Sequence, residues 1–269
     1  TCALPIWLEF DPADSQFPKA DSPPPLIKLG QKMGLNPIPL SIDQARSKIK
    51  PPINFKRFAH KANPHFAFNL TNLTVEYGAV RALDNLAISA HTGEALAIMG
   101  ENGSGKTSLL WKLRESLTGC AMVPQQASDL LFLNTIGQEF ADSDEVAGVP
   151  EASTSKLFEE FAGRLDTSIH PRDLSSGQQL ALVLAMQLVK PAQVVLLDEP
   201  TRGLDYAAKQ QVAEVIQSLT NQGKTVVFAS HDVEFVALTA NRVVQLEAGK
   251  IINDQPVELA LSHNGKLPT

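Results

Sequence analysis

Residues 95–113, "ALAIMGENGSGKTSLLWKL", join a short apolar run, a glycine-rich loop and a stretch of good helix formers. The loop fits the pattern of Gly, four residues, and then Gly-Lys-Thr. Its glycines let backbone N–H groups turn toward phosphate oxygens, and a helix beginning near Lys106 adds positive potential at its N-terminus. We therefore predict a buried strand, a phosphate loop and a helix in succession. A glycine turn with an incidental lysine is the alternative.

This loop supplies most of the predicted ligands of a nucleotide. Lys106 is expected to reach the β and γ phosphates, and the hydroxyl of Thr107 is expected to ligate Mg²⁺. The residues predicted to bind the nucleotide in this loop are Gly100, Asn102, Gly103, Ser104, Gly105, Lys106, Thr107 and Ser108.

A second apolar run, "AQVVLLDEPTRGLD" at 192–205, contains a strand that ends in two adjacent carboxylates. Successive side chains of a strand point to opposite faces, so Asp198 and Glu199 are predicted to have different roles. Asp198 suits Mg²⁺, through a bound water, and Glu199 suits deprotonation of the water that attacks the γ phosphate. Taken alone, the two carboxylates are also compatible with a solvated strand end.

A second loop suited to phosphate lies in "DLSSGQQLALVLAMQLV", residues 173–189, where Ser-Ser-Gly begins an apolar helix. Ser175 and Gly177 stand at the start of this helix, where free N–H groups and positive potential favour an anion. One domain would thus carry two phosphate loops, and the sequence raises the question of which phosphate the second one serves.

Other residues are suggestive only by their position. His231 in "VVFASHD" and Gln125 in "AMVPQQ" each follow a predicted strand, and Tyr77 closes the first strand. His231 is placed to donate to a γ-phosphate oxygen, or is simply a helix-start residue. Tyr77 is placed to stack on an adenine, or is simply core. We interpret Trp111 as helix packing and Cys120 as a small buried hydrophobe.

Composition excludes several classes of function. The chain has 269 residues, enough for a sizeable α/β domain, and its 23 basic against 29 acidic residues predict no nucleic-acid partner. Cys2 and Cys120 support neither a disulfide framework nor a zinc site, and indicate a reducing, cytosolic setting. The longest apolar stretch, 180–189, is about half of what a bilayer requires, so we expect no membrane crossing.

The segments outside the core are predicted from composition. Residues 8–65 contain several Pro-Pro steps and are interpreted as a linker with short helices, one of them capped by Ser41 and Gln44; a disordered tail is the alternative. Residues 1–7 are expected to be a non-native tail, because "TCALPI" matches one reading frame of a widely used sequencing adapter. Residues 256–269 are interpreted as a C-terminal tail.

The order of these features along the chain resembles the nucleotide-binding domain of ABC transporter ATPases, over about 67–255. The elements in order are an aromatic residue at 77, the phosphate loop at 100, Gln125, "LSSGQ" at 174, Asp-Glu at 198, "GLD" at 203 and His231. The resemblance implies ATP and Mg²⁺ as cofactors and ATP hydrolysis as the reaction. It implies catalytic roles for Glu199, His231 and Gln125, with Gln125 also ligating the metal beside Thr107 and Asp198.

The resemblance also implies a role for the second loop. In that family two domains sandwich two ATPs head to tail, so that the loop of one domain completes the phosphate site of the other. Ser175 and Gly177 would then contact the partner's nucleotide, and Gln178 and Asp205 join the predicted nucleotide-binding residues. Ser176 stands where the family more often has Gly, which bears on the rate of hydrolysis and not on the role.

The segments "DEPTRGLDYAAKQ" and "PQQASDLLF" resemble those of the energy-coupling factor (ECF) group, which powers uptake of vitamins and transition-metal ions. The proline-rich linker is similar to the connector ahead of the second domain in ECF ATPases with two fused domains. This implies the second half of a tandem protein, at the cytoplasmic face of the membrane, whose partners are a first ATPase domain and a membrane-embedded subunit.

Other classes fit the sequence less well. The linker is not the charged helix of translation-associated tandem ATPases, and only 48 residues separate Gln125 from Leu174, too few for the coiled coil of a chromosome ATPase. The chain has no Asn-Lys-x-Asp motif of GTPases. A non-transport or catalytically weak ABC ATPase that acts as a nucleotide-dependent regulatory module stays open.

The fold expected is a P-loop α/β core, a mainly parallel sheet flanked by helices in which the phosphate-loop strand and the Asp-Glu strand are adjacent. A small antiparallel β subdomain is expected near 66–90, and a helical subdomain at about 127–190.

Overall fold

The computed structural model of the protein describes residue 37 and residues 64–262. Residues 64–262 belong to one compact unit. The predictions for the tail 1–7, for nearly all of the linker 8–65, including the cap by Ser41, and for the last seven residues lie outside the described residues.

Strands and helices alternate through most of the described chain. The strands are β1 (Phe66–Tyr77), β2 (Val80–His91), β3 (Ala95–Met99), β4 (Cys120–Val123), β5 (Val194–Asp198), β6 (Thr225–Ala229), β7 (Arg242–Glu247) and β8 (Lys250–Pro256). The helices are α1 (Lys106–Ser116), α2 (Ile136–Ala147), α3 (Ser153–Ala162), α4 (Ser176–Leu188), α5 (Tyr206–Asn221), α6 (Val233–Thr239) and α7 (Val257–Ser262), with short 3-10 segments at Ala127–Leu130 and Pro171–Asp173.

The main sheet has six strands in the order β4-β5-β6-β3-β7-β8. All neighbours pair in parallel except β7 and β8, which form an antiparallel edge. Each residue of β3, β4, β5 and β6 is buried, as expected for the interior of a parallel sheet covered on both faces. The mainly parallel sheet flanked by helices is therefore confirmed.

The predicted adjacency of the phosphate-loop strand and the Asp-Glu strand is wrong, because β6 lies between β3 and β5. The connection from β3 through α1 to β4 passes over both intervening strands, so α1 packs against β5 and β6. The phosphate loop is therefore brought to the end of β5 by the helix that follows it and not by strand pairing. Local sequence does not encode how many strands a crossover skips.

Strands β1 and β2 form the small antiparallel sheet that the sequence predicts, with Phe66 opposite His91 and Tyr77 opposite Val80. Its inner face packs Phe68, Leu83 and Ile88 into the apolar cluster that also covers α1. The hairpin is thus part of the core on the face of the sheet where α1 lies.

Helices α2, α3 and α4 share an apolar cluster of their own, which includes Ile136, Phe140, Phe158 and Leu182. They lie within residues 127–190, and the boundaries of the helical subdomain there stay a prediction. The opposite side of α4, with Leu180, Val183 and Leu184, belongs to the core of the main sheet. Helix α4 therefore packs on both the main sheet and the cluster formed with α2 and α3.

Two readings of single side chains have different outcomes. Cys120 is buried, and this burial raises the pKa of its thiol to about 11, as suits an inert core residue. Trp111, interpreted as helix packing, is instead 49% exposed on α1.

No helix in the described part of the chain is long and apolar enough to cross a membrane.

Candidate active site

The phosphate loop is tightly packed on one side and open on the other. A Cβ at Gly100, whose φ is 154°, would lie 2.2 Å from the carbonyl oxygen of Leu246 in β7, so only glycine fits there. A Cβ at Gly103, whose φ is 82°, would meet nothing within 4 Å. The loop backbone is therefore fixed against the sheet while its outer surface has room for a ligand.

The ammonium of Lys106 is hydrogen-bonded to the backbone of the phosphate loop. It is the first residue of α1, and its buried ammonium donates to the carbonyl oxygens of Gly100 at 2.8 Å and Glu101 at 3.0 Å. An ammonium has three protons, so one remains for a phosphate oxygen. The side chain is thus placed where a cation both orders the loop and meets an anion bound in it.

Thr107 and Asp198 meet at the end of β5. The Thr107 hydroxyl donates to Oδ2 of Asp198 at 2.8 Å, although the two residues are 91 positions apart in the chain. Burial raises the pKa of Asp198 and the charge of Glu199 acts in the same direction, whereas the bond from Thr107 and the charge of Lys106 oppose the shift. A hydroxyl oxygen and a carboxylate oxygen, both of which can ligate a metal ion, are therefore held side by side.

This site contains unpaired buried polar atoms. Of the four buried side-chain nitrogen or oxygen atoms without a hydrogen-bond partner in the described residues, two are Ser104 Oγ and Asp198 Oδ1. A buried polar atom without a partner costs free energy, which a polar ligand or a cation would recover. The open glycine loop fits phosphate, and the Thr107 and Asp198 oxygens fit Mg²⁺, which takes few protein ligands beside nucleotide phosphates.

Glu199 leaves the strand in an unusual conformation. Its φ is 47°, in the left-handed region that few residues other than glycine adopt, and its N–H donates to the carbonyl of Ala229 at 3.0 Å. Strand alternation predicts different roles for Asp198 and Glu199. They do have different partners, but the reason is this backbone turn, because β5 ends at Asp198.

The partner of Glu199 is His231. Their Oε2 and Nδ1 atoms are 2.8 Å apart, with the Glu199 side chain 8% exposed and that of His231 69% exposed. A strained residue held by tertiary contacts is a frequent mark of a functional site. The pair thus presents a buried carboxylate beside an accessible imidazole at the same edge of the sheet.

The second loop is capped within itself. Ser175 is the N-cap of α4 and accepts from the N–H of Gln178 at 3.3 Å, while the Gln178 side chain accepts from the N–H of Ser175 at 2.9 Å. Ser176 is exposed. Within the described residues no hydrogen bond joins 175–178 to 100–108. The two predicted phosphate loops are therefore not linked by a described hydrogen bond in one copy of the chain.

The remaining predicted residues lie at ends of elements. Gln125 is exposed two residues beyond β4, Tyr77 is 60% exposed at the end of β1, and Asp205 caps α5 by accepting from the N–H of Ala208 at 2.8 Å. The hydrogen bonds described for the site join Lys106 to the backbone of the phosphate loop, Thr107 to Asp198, and Glu199 to His231. The other predicted residues stay predictions.

Sequence reasoning missed the turn that carries His231. Ser230 is fully buried, its N–H donates to Ile98 of β3 at 3.1 Å, and its hydroxyl accepts from the N–H of Asp232 at 3.1 Å. Asp232 is the N-cap of α6 and accepts from the N–H of Phe235. An Asp before the apolar run "VEFVAL" is a signal from which the cap was predictable.

The fold and this site define a P-loop nucleotide-binding domain. The family model described as ABC transporter matches residues 83–202. The cobalt import ATP-binding protein CbiO of Rhodobacter capsulatus is 32% identical over 219 residues, which cover 71% of this chain and 78% of that protein. The chain therefore belongs to the ABC transporter ATP-binding proteins, a family that hydrolyses ATP in transporters.

Longer relatives and solved structures agree with this assignment. A putative ABC transporter ATP-binding protein of Streptomyces coelicolor is 32% identical over 291 residues, 87% of this chain and 52% of that protein. The chain thus spans about half the length of the curated relatives it matches first. CbiO1 of Clostridium perfringens, part of the CbiONQ complex, has the same fold, with a TM-score of 0.66 and 21% identity over 74% of this chain and 92% of that one.

Proposed function

We propose that this chain is the ATP-hydrolysing domain of a membrane importer of the ECF type, which takes up a vitamin or a transition-metal ion. The observation that carries the proposal is the pairing of Thr107 with Asp198 and of Glu199 with His231, each at 2.8 Å, beyond the carboxyl ends of β5 and β6. Ligands of open α/β sheets bind at this edge. The similarity to CbiO of Rhodobacter capsulatus supports an importer of a metal ion such as cobalt.

Each side chain has a distinct part in the proposed reaction. The loop N–H groups and Lys106 hold the phosphates, and the oxygens of Thr107 and Asp198 hold Mg²⁺, directly or through a water, with Gln125 as a further ligand. When bound, Mg²⁺ neutralises charge that develops on the phosphate oxygens. Glu199 takes a proton from the attacking water, and His231 orients that carboxylate through its ring nitrogen.

The second loop is proposed to act on another domain. Ser175, Gly177 and Gln178 lie at the start of α4 and have no described hydrogen bond to their own phosphate loop, so we expect a second ABC domain to bring its nucleotide to them. Asp205 and Tyr77 are proposed to complete nucleotide binding, Tyr77 by stacking its exposed ring on the adenine. Two half-sites then make one complete site, as in a head-to-tail dimer.

We propose further that the partner ABC domain is the N-terminal half of the same protein, and that this chain is its C-terminal half. The match to the Streptomyces coelicolor relative covers more of this chain than residues 64–262 and the last seven residues together contain, so it includes part of the proline-rich segment. A relative about twice as long that shares this segment is consistent with a connector between two domains. The assembled protein would lie at the cytoplasmic face of the membrane, against a membrane-embedded subunit near Gln125.

The experiment that tests the proposed reaction is Glu199→Gln, measured as steady-state release of phosphate from Mg-ATP by the full chain. The amide can hold the water but cannot take its proton, so we expect turnover to fall by about 10²-fold or more with the ATP dissociation constant unchanged. Glu145→Gln, on an exposed face of α2, is the matched control and should leave both unchanged. Turnover of the Glu199 variant within about threefold of wild type would contradict the proposed base.

A further inference from the structure

The turn that presents His231 is held on both sides of the histidine. Before it, the N–H of Ser230 donates to Ile98 of β3, and after it, the N–H of Asp232 donates to the hydroxyl of Ser230. The histidine side chain itself is largely exposed and has one described polar partner, Glu199. The direction of its ring therefore depends on how firmly the flanking backbone is fixed.

Asp232 is fixed by an ion pair that reaches across to another element. The ammonium of Lys209, in the first turns of α5, donates to Oδ2 of Asp232 at 2.5 Å. The other oxygen of this carboxylate accepts from the N–H of Phe235 at 3.0 Å and caps α6. Burial opposes ionisation of Asp232, but the bonds from Lys209 and from the helix N–H groups outweigh it and lower the pKa of the carboxyl.

The pair is more sheltered than the other lysine ion pairs among the described residues. The side chain of Asp232 is 17% exposed and that of Lys209 34%, whereas the carboxylate partner of Lys112, Glu115, is 67% exposed. A partly buried ion pair with a short bond restrains geometry better than a surface pair, which contributes little. Lys209 is itself in a helix anchored by the Asp205 cap.

We propose that Lys209 is a positioning residue for ATP hydrolysis, acting through Asp232 to hold the imidazole of His231 against Glu199. This inference rests on the proposed function of Glu199 and His231. Four links carry it: Lys209 to Asp232, Asp232 to Ser230, Ser230 to β3, and His231 to Glu199. Lys209 has no described hydrogen bond or ion pair to the phosphate loop or to Glu199, so we expect its effect on orientation and not on nucleotide binding.

The test compares variants that remove the charge with variants that keep it. Lys209→Met should lower kcat roughly tenfold, because a small misplacement of a catalytic group has a large effect on rate, while the ATP dissociation constant stays unchanged. Lys209→Arg should restore most of the activity. Asp232→Asn keeps an oxygen to cap α6 but loses the charge, so it should match Lys209→Met, and the double variant should be no worse than either.

Lys112→Met is the control, because Lys112 is 32% exposed and also ion-paired, but lies on the outer side of α1. A second measurement does not depend on turnover: the imidazole resonances of His231, assigned by comparison with His231→Gln. They should shift in Lys209→Met and return in Lys209→Arg. If Lys209 has a purely structural role, Lys209→Met should lower Tm without a selective loss of kcat, and Lys209→Arg should not restore the His231 resonances.

The outcomes separate the two proposals. If wild type hydrolyses ATP no faster than Glu199→Gln, the proposed function fails, and the His231 resonances still decide whether Lys209 positions the ring. If wild type is active but Lys209→Met equals Lys112→Met in kcat and leaves the His231 resonances unmoved, the positioning role is overturned. A selective loss of kcat that Lys209→Arg restores supports it.

Discussion

At the scale of single residues, the site depends on groups held under restraint. Glu199 has a left-handed backbone, Lys106 is a buried cation, and Asp198 has one buried oxygen without a described partner. Each arrangement is unfavourable by itself and persists because the surrounding sheet and loops fix it. Together they place charges where a phosphate and a divalent cation would compensate them.

Lys106→Ala is predicted to lose nucleotide binding itself. The substitution removes the ammonium that donates to Gly100 and Glu101 and leaves the phosphates without their cation. We expect the ATP dissociation constant, measured by calorimetry, to rise by at least about tenfold, or ~1.4 kcal/mol.

The matched control for this substitution is Lys156→Ala, which removes an exposed ammonium from α3. It should leave the dissociation constant unchanged. An unaltered affinity in the Lys106 variant would contradict the place of that ammonium beside the phosphates.

At the scale of elements, helix starts set up the functional loops. Helix α1 follows the phosphate loop, and α4, α5 and α6 follow the N-cap residues Ser175, Asp205 and Asp232. The last three begin with a side chain that accepts from an N–H of the first turn, which sets where each helix starts and how the preceding loop enters it. Loops that enter a capped helix are therefore presented in one conformation.

Ser175→Asp is predicted to keep the capping of α4 by the second loop while removing its contact with a partner's nucleotide. Aspartate is as good an N-cap as serine, so α4 should keep its start and the chain its own ATP affinity. A negative charge at this position should repel a nucleotide phosphate presented by a partner domain, and turnover should fall by about tenfold or more.

The same substitution at another N-cap is the control. Thr135 caps α2 by accepting from Gln138, and Thr135→Asp should change neither affinity nor turnover. Weaker ATP binding by the isolated Ser175 variant would mean instead that the second loop contacts the nucleotide of its own chain.

At the scale of the whole molecule, the proposed function gives one copy of the domain two half-sites. Its phosphate loop and its second loop lie in different regions, the first over the main sheet and the second at the start of α4, beside the cluster of α2 and α3. On this proposal a complete site requires a second domain, and we expect activity to depend on association.

Mixing variants tests this composite site. Copies with Lys106→Ala have an intact second loop, and copies with Ser175→Asp have an intact phosphate loop. When two copies of this chain pair with each other in place of the proposed first half, a mixed pair should contain one complete site. An equal mixture should then recover up to about a quarter of the turnover of the wild-type homodimer by random pairing.

The dependence of specific activity on protein concentration is the second test of the composite site. Specific activity of wild type should fall as the chain is diluted, because the pair dissociates. Specific activity that stays constant on dilution, with no recovery on mixing, would show that one copy contains a complete site.

The sequence by itself determined the local structures and the residue types of the site. The Gly-Lys-Thr loop sets a strand, a turn and a helix start at 95–107, and strand β3 and helix α1 begin where the pattern predicts. These features follow from contacts between near neighbours: backbone conformations that only glycine adopts, caps, and the spacing of apolar side chains. The apolar run that ends at Asp198 is likewise a strand, for the same reason.

Only the tertiary structure decided which of these pieces meet. The place of β6 between β3 and β5 depends on strand order. The contacts of Glu199 with His231 and of Lys209 with Asp232 join residues 32 and 23 positions apart, and the bond from Thr107 to Asp198 joins residues 91 positions apart. Such contacts are set by how helices cross the sheet and by which strands pair, and one linear pattern is compatible with several of these arrangements. The exposed Trp111 has the same cause, because an apolar residue is buried only where the packed elements cover it.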